Sequence, residues 1–341
     1  MLSNVTIAVD IMGGDRGPHV FFDAIKNILS NYPHVSIIVC GTAEHQAQYI
    51  ELSRSQYPKR LTFESCEQVV GMHDKPAMAI RQKQESSMRK ALDLTANKTA
   101  DGCVSGGNTG ALMATAYYVL KTISGISRPA LATILPTQNQ GKVLLLDLGA
   151  SINYNAENLF QYAVMGSVLM EQCEHIERPK IALLNVGEED NKGSSLVKHA
   201  ASLIKDYDGL NYIGYVEGND IFAGKSDVVV TDGFTGNVAL KTSEGIALFL
   251  SNEIKALSKQ TFFARVLSKL CLPLLKSLHQ KMNPDQYNGA SLIGLPSIVV
   301  KSHGNASTEA CYYAILQAIN EAQNAVPDKI KTKIEQALLE H

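Results

Sequence analysis

Apolar residues in this chain fall into short, nearly continuous runs separated by longer segments of helical period. Residues 5–10 (VTIAVD), 35–41 (VSIIVCG), 102–106 (GCVSG), 142–149 (KVLLLDLG), 180–187 (KIALLNVG), 227–233 (DVVVTDG) and 296–304 (PSIVVKSHG) have the length and apolar content of strands. They lack polar alternation, as strands of a parallel sheet covered on both faces must. Most end in glycine and lead into a helix-length segment, such as 109–121 or 155–171. Repetition of strand, glycine turn and helix predicts a three-layer α/β/α fold on a mainly parallel, doubly wound sheet. No Pro/Ser-rich linker or low-complexity stretch breaks the pattern, so residues 1–341 are expected to form one such domain.

One turn occurs twice. Residues 101–110 (DGCVSGGNTG) lie over residues 227–236 (DVVVTDGFTG) at a constant offset of 126 positions, with Asp, Val, Gly, Thr and Gly in common. Ser105 also matches Thr231 in chemistry. Ligands of doubly wound sheets sit beyond the carboxyl ends of the strands. Helix amino termini there offer unpaired N–H groups and a positive dipole end, which glycines let an anion reach. Ser105, Gly106, Gly107, Asn108 and Thr109, with Asp232, Gly233, Thr235 and Gly236, are therefore expected to frame one cleft for phosphate or another anion. The competing reading is a tight turn in which glycine supplies positive φ.

Composition changes this picture little. At 45% hydrophobic and 19% charged residues, the chain is of globular rather than disordered type. A net charge of −2 gives no global attraction to nucleic acid, and no such partner is expected. The six cysteines are scattered without CxxC or Cys/His ligand spacing, which fits free thiols in a reducing cytoplasm better than disulfides or zinc. No secretion signal is expected from the first residues, and no run approaches the ~20 apolar residues of a spanning helix.

Neither turn is a Walker loop or a GxGxxG fingerprint, which weakens nucleotide and dinucleotide readings. In VDIMGGDRGP, Asp10 and Asp15 flank Gly13 and Gly14; capping and turn formation outweigh Mg²⁺ binding there, and Pro18 suits a first helical turn. No metal or cofactor site is expected. Lys192, in the polar loop LNVGEEDNKGSS, is a candidate for phosphate neutralisation or a solvated side chain. Cys103 reads as a buried small hydrophobe. His303 ends the last strand, where it meets substrate or orients its turn. The basic helix 81–90 is a solvated face or a docking patch for an acidic partner.

Residues 251–288 break the rhythm. Within SKQTFFARVLSKLCLPLLKSLHQKM, Phe262, Phe263, Leu270, Leu272 and Leu274 belong to an apolar stripe. Lys259, Arg265, Lys269, Lys276 and Lys281 accompany it without an intervening acid, and Pro273 splits or kinks the helix. An anionic membrane surface, a core contact or a dimer interface would each accept such a segment.

The strings AVDIMGGDRGP, SGGNTGALMA, LLDLGA, LLNVGEEDNKG, VEGNDI, DVVVTDGFTGNVALKTSEG and SHGNAS run in order from residue 8 to residue 307. Together they resemble the acyl-ACP:phosphate acyltransferases of bacterial phospholipid synthesis, the PlsX family. The resemblance implies a phosphotransacetylase-related fold (also akin to isocitrate and isopropylmalate dehydrogenases) and a homodimer. It implies transfer of a long fatty acyl group from acyl carrier protein to inorganic phosphate, without a cofactor. It further implies a cytoplasmic protein attached peripherally to the membrane through residues 251–288. A membrane-bound acyltransferase that uses acyl phosphate would act downstream. The chain departs from the family's usual strings at Gly149-Ala150-Ser151 and Ser291-Leu292-Ile293-Gly294.

Loop position, residue chemistry and the resemblance together suggest roles. Phosphate is itself nucleophilic, so the site must supply positioning and charge stabilisation. The Ser105–Thr109 turn and Lys192 are assigned to phosphate, with Asp10, Gly13, Gly14, Gly233, Thr235, Gly236 and His303 as further binding candidates. Asn237 is assigned to the carbonyl oxygen as it becomes an oxyanion, and Asp232 to orienting the lysine or carrying a proton. Two rivals are an NAD(P)-dependent 2-hydroxy-acid dehydrogenase on a related scaffold and a non-catalytic, membrane-associated scaffold of lipid synthesis. If the apolar stripe faces lipid, the protein will float with anionic liposomes and be released by salt. A Phe263→Asp/Leu274→Asp variant that keeps its circular dichroism spectrum will not float; equal flotation of both proteins overturns the membrane reading.

Overall fold

The computed structural model describes residues 3–138, 141–151, 153–260 and 284–340. Phe262, Phe263, Leu270, Leu272 and Leu274 lie outside these residues. The strands are β1 (Val5–Asp10), β2 (Val35–Thr42), β3 (Leu61–Cys66), β4 (Gly102–Ser105), β5 (Ala130–Pro136), β6 (Lys142–Leu146), β7 (Lys180–Leu184), β8 (Asn211–Val216), β9 (Val228–Val230), β10 (Ala290–Ile293) and β11 (Ile298–Lys301). They form one sheet in the order β3-β2-β1-β4-β11-β10-β5-β6-β9-β7-β8. All seven runs expected as strands are present.

Strands β3, β2, β1, β4 and β11 are mutually parallel, as are β6, β9, β7 and β8. Between the blocks, β10 runs antiparallel to β11 and β5, and β5 antiparallel to β6. Three reversals make the two blocks run in opposite senses. Side chains alternate across the sheet as the pleat demands. Val9, Val104 and Val300 face α1 (His19–Asn31) and α9 (Thr308–Gln323). Ala8, Cys103 and Val299 face α4 (Ser87–Ala96) and α5 (Thr109–Leu120) on the other side. In the second block, Leu144, Leu146, Val228 and Val230 pack with α6 (Ala156–Cys173), α7 (Ser195–Lys205) and α10 (Val326–Glu340). Helix α6 is buried on nearly every side, which is why its sequence lacks a polar stripe. Leu145 and Val229 face the opposite layer, where α8 (Gly233–Gln260) contributes Leu240.

The two matching turns are built alike. Asp101 Oδ2 accepts the Thr6 N–H at the start of β1, and Asp227 Oδ2 accepts the Lys180 N–H at the start of β7, both at 2.7 Å. β4 then ends in Ser105 and β9 is followed by Thr231, and each leads through a glycine turn into a helix. Gly106, Gly107, Gly110, Gly233 and Gly236 all have φ outside the left-handed region, so positive φ is not why they are glycine. Close approach of backbone is. A Cβ on Gly13 would lie 2.6 Å from Gly107 Cα, and one on Gly233 would lie 2.9 Å from Gly149 Cα. A Cβ on Gly236 would collide with the Asp147 carbonyl oxygen. Gly13→Ala and Gly236→Ala are each expected to lower stability to urea by about 1–3 kcal/mol through overpacking. Gly218→Ala, where a methyl meets open space, will be near neutral; equal urea midpoints for all three variants would refute the close-approach account.

Candidate active site

Three neighbouring strands end in polar side chains held in register: Asp10 on β1, Ser105 on β4 and Lys301 on β11. All three are buried and share the face covered by α4 and α5. Ser105 Oγ donates to Asp10 Oδ2 at 2.6 Å and accepts the Gly107 N–H at 3.1 Å. Asp10 Oδ1 accepts the Met12 N–H at 3.1 Å. Burial pushes the Asp10 carboxyl up, against the pull of its Ser105 and Ser87 hydrogen bonds. Asn108 caps α5 by accepting the Ala111 N–H, while its amide donates to the carbonyls of Met72 and Asp74. Ser105 and Asn108 thus fix the turn, and Thr109, the first helical residue, is exposed at its tip.

The second turn follows the same logic. Asp232 Oδ1 accepts the Thr235 N–H at 2.9 Å, and its Oδ2 accepts the Thr235 hydroxyl at 2.6 Å, so this pair caps α8. The turn rests on Asp147, a buried carboxylate after β6. Asp147 Oδ1 accepts the N–H groups of Leu131, Gly149 and Ala150, and its Oδ2 accepts that of Ser151. At position 151 this contact comes from the backbone, so it does not depend on the side chain there.

One cavity of about 430 Å³ joins the two turns, with Thr109 on one side and Asn237 on the other. Its apolar wall includes Leu131, Leu135, Leu148, Phe222, Leu240 and Ile246. Its polar end holds Lys241, Glu244, Asn288, Lys301 and His303. Asn237, Lys241 and Glu244 recur at helical spacing, so one face of α8 roofs the cavity from the second turn towards the first. Glu244 bridges Lys241 at 2.8 Å and His303 Nε2 at 3.4 Å. The His303 side chain keeps 49% of its surface exposed, and burial of the remainder holds its imidazole below the ordinary value despite Glu244.

The sequence-derived candidates therefore separate into groups. Thr109, Asn237 and His303 line the cavity, while Asp10, Gly13, Ser105, Gly106 and Gly107 are buried beneath the first turn. Gly14 packs beside Gly304, and the Asp15 N–H donates to the Gly304 carbonyl. Asp232, Gly233, Thr235 and Gly236 shape the second turn. Lys192 is exposed on the loop after β7, packed along Gly187, and is not among the cavity residues. Cys103 is buried and its thiol is pushed up to about 12 by burial. Among the described residues, no His/Cys/Asp/Glu group could hold a metal ion. The sequence reading missed Asp147, Lys241, Glu244 and Lys301. The visible signal for Asp147 and Lys301 was a charged residue closing an otherwise apolar strand.

The family model described as fatty acid synthesis protein matches residues 5–329. The chain belongs to this family. A phosphate acyltransferase from Pseudoalteromonas atlantica is 50% identical over 339 residues, covering 99% of each chain. One from Shewanella baltica is 47% identical with the same coverage. Solved structures extend the likeness to the fold. A phosphotransacetylase from Streptococcus pyogenes superposes with a TM-score of 0.61 at 17% identity, covering 94% of this chain and 95% of its own. The phosphotransacetylase from Staphylococcus aureus gives 0.59 at 17% identity, with 95% and 96% covered. The family member described here thus has the three-layer α/β/α architecture expected from its strand pattern.

Proposed function

We propose that this chain transfers a long-chain fatty acyl group from acyl carrier protein to inorganic phosphate, forming acyl phosphate for phosphatidic acid synthesis. The supporting observation is the cavity itself, in which an apolar wall for a hydrocarbon chain meets a cationic end beside the amino terminus of α5, with the amino terminus of α8 across the cavity. Its family relatives named phosphate acyltransferases support the same reading.

In the proposed reaction a phosphate oxygen attacks the thioester carbonyl carbon and forms the new C–O bond. The C–S bond breaks, its electron pair stays on the pantetheine sulfur, and the proton shed by phosphate passes to that thiolate. Thr109, the turn beneath it and His303 would hold the phosphate. Lys192 would meet its charge by reaching in from the loop after β7. Asn237 would donate to the carbonyl oxygen as negative charge develops, and Asp232 would keep the turn carrying Asn237 in shape through Thr235.

Several finer features belong to the same proposal. Leu248, Phe249, Leu250 and Leu257 are exposed on α8 as it runs towards residues 261–283. That apolar surface supports a homodimer contact and peripheral attachment to the cytoplasmic membrane, where a membrane-bound acyltransferase would consume the acyl phosphate. No helix of the described residues is long and apolar enough to cross a membrane.

Mixing the protein with long-chain acyl-ACP and labelled phosphate should give acyl phosphate that hydroxylamine traps; no product above background overturns the proposal. Asn237→Ala should lower kcat about 10²–10³-fold, as loss of an oxyanion donor does. A change confined to KM would make Asn237 a ground-state contact instead. Lys192→Ala should raise the KM for phosphate and lower turnover. Wild-type kinetics at low phosphate would remove Lys192 from the site.

A further inference from the structure

The roles above leave one buried cation unexplained. Lys301 is 8% exposed, closes β11 beside Ser105, and borders the polar end of the cavity. Its ammonium donates to the Gly106 carbonyl at 3.4 Å and to the Ser302 carbonyl. Among the described residues it forms no ion pair, whereas its neighbour Lys241 is paired with Glu244. Asp10 attracts it through space without touching it. That carboxylate already accepts from Ser105 and Met12 and makes no ion pair with the lysine. A buried charge is costly unless it is paired, so an unpaired one bordering a cavity marks a place for an incoming partner.

The partner must be an anion from the cavity. It would lie where Thr109 begins α5 and where His303 follows Lys301 by two residues. Such a position suits a compact oxyanion that accepts from several donors at once. We propose that Lys301 is the buried counter-charge for the phosphate substrate, a binding residue at the floor of the cavity. This inference rests on the phosphate acyltransferase reading for its ligand. The counter-charge of the site then sits on a strand end rather than on a loop.

The electrostatics agree with that role. Burial first, and the like charge of Lys241 second, push the Lys301 ammonium down to about 8. Asp10, Asp15, Lys241, Glu244, His303 and Cys311 are the titratable groups around it. The His303 imidazole lies below its ordinary value, and the Cys311 thiol is pushed up to about 12. Neither changes charge from about pH 8 to about pH 9.5, where phosphate is already the dianion. As pH rises through the lysine's value the cation is lost, and phosphate binding weakens.

The test uses the full-length protein and inorganic phosphate alone, with binding followed by calorimetry and by the phosphate-dependent rise in unfolding temperature. Lys301→Met and Lys301→Gln should each weaken phosphate binding about tenfold or more, and raise the KM for phosphate in the acyl phosphate assay by a similar factor. Wild-type binding should itself weaken from about pH 8 to about pH 9.5, a result that needs no variant to fold. Folded variants with unchanged phosphate affinity overturn the proposal, as does a flat wild-type profile over that range. Phosphate binding that depends on Lys301 without acyl phosphate formation would support this site and remove the transfer reaction. Acyl phosphate formation with an unchanged KM in both variants would remove the Lys301 assignment alone.

Discussion

Backbone resting directly on backbone governs this molecule. Gly107 lies against Gly13, and Gly233 and Gly236 lie against Gly149 and Asp147, with no room for a methyl group between them. These contacts bring the loops after neighbouring strands closer than side chains would permit. They also decide where α5 and α8 begin. Because a helix carries its unpaired N–H groups and dipole at its first turn, fixing the start fixes the place where negative charge is favoured. The glycines would act on a bound anion indirectly, by setting the frame rather than by clearing a path to the ligand.

The two turns are equivalent in construction, yet their strand blocks run in opposite senses across the sheet. Helix α8 reconciles them. It leaves the second turn with Asn237, then carries Lys241 and Glu244 over the β5, β10 and β11 region to His303. A single helical face therefore links the proposed oxyanion donor to the cationic end. Along that face the helix rises ~1.5 Å per residue, so Asn237 and Glu244 are separated by about 10 Å. The cavity has length as well as depth, which suits a substrate with a reactive head and a long tail.

Much of the fold was legible because buried parallel strands advertise themselves as apolar runs, as 142–149 and 180–187 do. The strands that were missed have other surroundings. LTFESC (β3) lies at one sheet edge, where Glu64 and Thr62 are tolerated, and NYIGYV (β8) lies at the other edge with Gly214 in its middle. ALATILP (β5) and ASLI (β10) form the antiparallel centre, where each pairs with its neighbour in sequence on one side and the two pair with each other, across a long stretch of chain, on the other. In the site, repeated Ser/Thr and Gly revealed both turns, and helix spacing after Asn237 would have pointed to Lys241 and Glu244. Lys301 was harder to see, since a lysine closing an apolar strand looks like an ordinary solvent-facing end. Its burial follows from having Ser105 beside it and α8 above it, and both depend on tertiary contact.

The position of β11 has a consequence for how the chain is made. Residues 298–301 sit beside β4 and between residues 102–105 and the rest of the sheet, while α9 packs on α1. The amino-terminal block is therefore completed by a segment synthesised long after β4 itself. Until that segment leaves the ribosome, β4 has an open edge and the apolar face of α1 lacks its cover. Pairings of such sequence separation are slow to form, and unpaired edges invite wrong partners. The nascent chain must hold the first block unfinished over that interval.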